Sequence, residues 1–129
     1  MNEEIVQIIN ETVNLTVQML KAEGFLGKNK KTAFQKTEEL LKNYNILKRS
    51  KEQTTKKMIT KLNEALKEIK DDQYYEIITM TYFGNQTREY IAEYFDTTTT
   101  TVTRNKNRLI NKLKMMIFSD EAIREMFYK

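Results

Sequence analysis

The chain has no cysteine, no proline and no histidine, and only three glycines, in 129 residues. Without cysteine there is no disulfide framework and no thiolate metal site. Without histidine the commonest general base and the commonest metal ligand are missing, leaving carboxylates and lysine as the acid–base inventory. On that inventory neither an enzyme nor a cofactor is expected. Without proline the strongest helix breaker is absent, so Gly24, Gly27 and Gly84 carry the punctuation. No run approaches about 18 consecutive apolar residues, so no transmembrane helix and no membrane partner are expected. Met1, Asn2, Glu3 and Glu4 make an acidic start, unlike the basic start of a signal peptide, and a cytoplasmic location is the expectation.

What the chain does have is helix-forming residues: Glu, Lys, Leu, Gln, Met and Ala recur throughout. Its apolar fraction of 40% suits a thin core built from long helices that pack on each other or on a partner. Basic residues outnumber acidic ones 22 to 18, a net charge of +4. The distribution says more than the total. Between Thr98 and Ile117 stand Arg104, Lys106, Arg108, Lys112 and Lys114, and no acidic residue. A one-sign segment in an otherwise mixed chain points to a polyanion.

Hydrophobic spacing predicts helices throughout. Ile5, Ile9, Val13 and Leu20 stripe a first helix over 3–22, closed at Gly24, with a turn to Lys31. Thr32 is placed to cap a second helix to about Lys48, with Phe34, Leu40, Leu41, Tyr44 and Leu47 inward. Residues 49–57 are polar and lysine-rich, read as a short break or as the bend of one long helix. Met58, Ile59, Leu62, Leu66 and Ile69 give helical spacing to Lys70, and Asp71 or Asp72 caps the next helix. That short apolar helix, over 74–83, ends at Gly84 and Asn85. Thr87 opens another helix to Phe95, Asp96 and Thr97 turn the chain, and Thr98 caps a long helix to about Ile117. Ser119 then caps a final helix over 120–127. Thr97–Thr101, five threonines in a row, favour a strand on propensity alone. Helical periodicity on both sides, from Ile91 and Phe95 to Val102, Leu109 and Leu113, predicts a helix there instead. Tyr74, Tyr75, Tyr82, Tyr90 and Tyr94 are read as core and rim packing, and the run Met115–Phe118 as core.

The stretch 86–114 has the layout of a helix-turn-helix. Ile91, Tyr94 and Phe95 are expected to form the buried face of its first helix, and Ala92 is small where the second must cross. Val102 and Leu109 anchor that second helix, which such motifs place in the DNA major groove. Thr98, Thr99 and Thr100 offer hydroxyls to phosphates or bases, and methyls to thymine. Arg104 and Asn105 carry forks that match guanine and adenine edges. Lys106, Arg108, Lys112 and Lys114 suit phosphates, and the N-terminus of helix 98–117 adds a positive dipole end.

Through Thr87, Glu89, Ile91, Ala92, Glu93, Val102, Arg108, Lys112 and Leu113, residues 72–117 resemble the fourth conserved region of sigma-70-type factors. The run Arg104–Ile110, with Tyr44, Asn45, Lys48 and Arg49 upstream, looks like ArpU-like regulators of phage late-gene transcription. The resemblance implies that Thr99, Thr100, Thr103 and Arg104 read bases and that Thr98 caps the helix and meets phosphate. The sequence departs from the pattern in two ways. Asp96 stands where the turn usually has glycine, and asparagine and aspartate tolerate the left-handed conformation best among the rest. Threonines replace charged residues early in the recognition helix, so a different DNA sequence is expected.

The expected fold is all-α: a helical region, 1–70, for dimerisation or partner contact, and a helix-turn-helix domain, 71–129. The expected function is sequence-specific binding of double-stranded DNA by a homodimeric regulator of phage or prophage genes, with RNA polymerase as a further partner. Two alternatives stand beside it: a phage DNA-packaging recognition subunit of the terminase small-subunit kind, and a protein-binding adaptor.

Overall fold

The computed structural model describes residues 32–119 and Ile123. The helix expected over 3–22, the turn to Lys31 and, apart from Ile123, the final helix lie outside the described residues. The described residues are helical, with no strand among them. In chain order the helices are α1 (Ala33–Lys42), α2 (Tyr44–Leu47), α3 (Gln53–Glu68), α4 (Tyr75–Ile78, continued by a π-helical turn over Thr79–Phe83), α5 (Arg88–Tyr94) and α6 (Thr99–Ile117). None is long and apolar enough to cross a membrane.

Local chemistry explains the starts and stops. Thr32 and Gln35 form a reciprocal capping box, each side chain accepting from the other's backbone N–H. The helix expected to run unbroken to Lys48 is interrupted at Asn43. Its side-chain amide donates to the Glu39 carbonyl at 2.8 Å, competing with the backbone ladder. The lysine-rich stretch is a true break rather than a bend. Ser50 is buried there, its hydroxyl accepts from the Glu52 N–H, and α3 begins at Gln53. The five threonines are not a strand: Thr98 caps α6, and Thr99–Thr101 form its first turn.

The π-helical turn carries no signal that periodicity detects. It is closed by a bond from the Gly84 N–H to the Thr79 carbonyl. At its end Asn85 alone takes a positive φ, 52°. Gly84 has φ −96°, and a Cβ there would lie 3.2 Å from the Met80 carbonyl oxygen, so glycine serves close approach.

Helix α6 joins two hydrophobic clusters. Near its start Val102 packs with Ile77, Ile91 and Ala92. Further along, Leu109, Ile110, Leu113 and Ile117 pack with Leu40, Leu41 and Leu47 and with Met58, Ile59, Leu62 and Leu66. That larger cluster draws on both sides of the boundary expected at residue 70, so the helices before it form the seat of α6. Tyr82 enters the same cluster, and its hydroxyl is satisfied by donating to Glu38 at 2.8 Å. Burial, followed by that carboxylate, raises the Tyr82 pKa. Two expectations about packing are corrected. Tyr94, expected on the buried face, is 56% exposed, and Met115, expected in the core, is 70% exposed. Helix α5 is only seven residues long, and Phe95 packs on the small cluster in place of Tyr94.

Candidate nucleic-acid interface

Helices α5 and α6 are joined by a turn whose geometry follows from its residues. Beyond the end of α5, Asp96 has φ 52°. The Thr97 N–H donates to the Ala92 carbonyl and the Asp96 N–H to the Glu93 carbonyl. That is a Schellman closure with aspartate in the left-handed position. Thr98 comes next in extended conformation, its hydroxyl accepting from the Thr101 N–H at 3.1 Å and donating to the Thr101 hydroxyl. Thr87 caps α5 in the same way through the Tyr90 N–H. Ala92 and Val102, both buried, meet where the two helices cross.

The nine residues expected to contact DNA fall into three groups. Thr100 and Arg104 are exposed on the outer face of α6, and Thr98 is exposed at its cap. Thr99, Thr103 and Lys106 are half-buried on the flank nearer α5. There the Arg88 guanidinium donates to the Thr103 hydroxyl at 3.3 Å. Arg88, Thr103 and Lys106, with Gln86 and Thr81, line a cleft of about 50 Å³. The third group, Asn105, Arg108 and Lys112, lies on the opposite flank, where Asn105 and Arg108 are half-buried and Lys112 stays exposed. The Asn105 amide donates to the Thr101 carbonyl at 3.0 Å and accepts from Arg108 Nε at 3.2 Å. Arg108 grips Asp72 with both terminal nitrogens, at 2.8 and 2.9 Å, and Lys112 Nζ lies 3.9 Å from the same carboxylate.

Two of the expected DNA contacts are thus engaged within the chain: Arg108, expected to meet phosphate, and Asn105, expected to read a base. Arg108 holds α6 to the start of α4, and Asn105 orients the guanidinium. Asp72 is the other half of the clamp: it also accepts the Tyr74 N–H at 2.9 Å. The clamp comes from a pairing 36 residues apart, beyond any local pattern. Sequence reasoning also missed three residues. Arg88 lies on the cleft. Asn107 and Asn111 are exposed on the face that carries Thr100 and Arg104. The spacing 100, 104, 107, 111 is a helical stripe complementary to the buried one, and it was there to be found.

The Arg108 fork, reinforced by the Tyr74 N–H and opposed by burial, holds the Asp72 carboxyl at about 2, below its ordinary 3.8. A carboxyl with a lowered folded-state pKa stabilises the fold above its unfolded pKa and loses that contribution as pH falls through the folded one. The window here is about pH 4 down to 2. Asp72→Asn is expected to cost about 1–2 kcal/mol at neutral pH, limited by solvent around the pair. It should also flatten the acid limb: melting temperatures by circular dichroism from pH 6 to 2 should converge for the two proteins near pH 2. Parallel curves across that range would show that ionisation of Asp72 contributes nothing to stability.

Among the described residues no cluster of carboxylates is arranged to hold a metal ion. What the arrangement offers is a rigid rod presenting hydroxyl, amide and guanidinium groups, with cations on the α5 flank. Comparison with family models, with curated proteins and with solved structures found no match to this chain.

Proposed function

We propose that the chain binds duplex DNA in a sequence-dependent way, with α6 in the major groove, as a regulator of phage or prophage transcription. The observation that carries the DNA reading is the outer face of α6. Thr100, Arg104 and Asn107 are exposed there, and the helix contains five basic residues and no acidic one. The Schellman turn supports it, since it sets α5 across the buried face and leaves that outer face uncovered. Phosphates would be met by Arg88 and Lys106 on the cleft side, by Lys112 and Lys114 further along, and by Thr98 with the first backbone N–H groups of α6. A homodimer would engage two half-sites about one helical turn, 10 base pairs, apart. Contact with RNA polymerase would fall to surfaces other than α6.

Arg104 gives the test. Arg104→Ala should weaken binding to a selected site by about 1–3 kcal/mol and relax preference at one guanine, leaving affinity for unrelated duplex little changed. Fluorescence anisotropy on matched and scrambled duplexes measures both. An equal loss on every duplex would assign Arg104 to phosphate and remove it from base reading.

A further inference from the structure

We propose that Asn107 is a second base-reading residue, selecting adenine beside the base pair met by Arg104. This rests on the DNA reading above and adds a position to it. All five residues of the stretch 104–108 carry side chains that could reach DNA edges or phosphates; Lys106 lies on the cleft beside α5, and the structure divides the other four. Asn105 and Arg108 are bound to Thr101, to each other and to Asp72. Arg104 and Asn107 are exposed, and neither has a hydrogen-bond or ion-pair partner among the described residues.

Position on the helix supports the same division. At about 100° per residue, Thr100, Arg104 and Asn107 fall within about 60° of one another around the axis. Asn105 lies about 100° beyond Arg104. From Thr100 to Asn107 the helix rises about 10 Å, some three base-pair steps, which is the stretch a recognition helix lays along the groove. Asn111 is a further turn along, where the rod leaves the groove. A free asparagine amide presents one acceptor and one donor side by side, matching adenine N6 and N7. No charge is added, so Asn107 contributes to sequence choice rather than to general attraction.

The experiment is selection from random duplexes with the full chain, run in parallel for the wild type and Asn107→Ala, then affinity measurements on the selected site. An exposed side chain with no partner leaves folding unaffected, which a melting curve checks. The wild type should select an A·T pair within three base pairs of a guanine. Asn107→Ala should lose that single preference and about ten-fold in affinity for the site, with the guanine preference and the salt dependence unchanged. If the variant selects the same site with the same affinity, Asn107 reads nothing and the DNA reading stands. If the wild type selects no sequence, the DNA reading fails and this proposal with it.

Discussion

Leu109→Ala is expected to lower the unfolding free energy by about 2–5 kcal/mol, the cost of emptying a fully buried leucine site. Leu109 is 0% exposed and sits where α1 and α3 both pack on α6. It cannot be replaced by local collapse, because its neighbours in the cluster belong to helices anchored elsewhere: Leu40 and Leu41 on α1, Leu62 and Leu66 on α3. In a domain of this size the loss corresponds to a fall in melting temperature of roughly 10–20 °C. Asn111→Ala, two residues along but exposed, should change stability by no more than about 0.5 kcal/mol. Equal effects at the two positions in thermal or urea unfolding would contradict the seating of α6 described here. The consequence for binding is indirect. The outer face presents a fixed row of groups because the inner face is held by α1 and α3.

The second large effect is on affinity, through salt. Each phosphate neutralised by a protein cation contributes about −0.9 to the slope of log affinity against log salt. Arg88, Lys106, Lys112 and Lys114 are available near the proposed interface. Arg108 is not, since Asp72 already holds it. Three to four contacts predict roughly a hundred-fold loss of duplex affinity between 50 and 200 mM salt. Breaking the clamp with Asp72→Asn frees Arg108 and should steepen that dependence. A protein-binding adaptor would show no duplex retention at low salt. A packaging subunit would show it together with a ring of many copies rather than a dimer.

Much of the fold was legible in the residues, because the rules that govern it are local. Thr32, Thr87 and Thr98 cap helices where their positions before apolar stripes predicted. Asp96 takes the left-handed conformation that its place in the turn required. The threonine run folded against its own propensity because Val102 and Ile91 bury together, and burial outweighs a few tenths of a kcal/mol per residue. What escaped was nonlocal or aperiodic. The Asp72 clamp joins distant segments. The π-helical turn at Thr79–Phe83 shifts the register without leaving a compositional mark. Tyr94 lies three residues after Ile91 and so falls on the inward stripe, yet its hydroxyl donates to Glu76 at 2.6 Å, outside the core. That carboxylate raises the Tyr94 pKa. At the interface, residue type alone proposed Asn105 where helical position selects Asn107. A count of basic and amide residues ranks the two equally; helical position and the partner of each side chain separate them.

Backbone amide shifts recorded while a short duplex is added put the proposed interface to an immediate trial. Perturbations should gather at residues 86–88 and 98–107 and spare α1 and α3. A duplex that moves the amides of α1 and α3 instead, or moves none at all, would show that DNA does not lie against the outer face of α6.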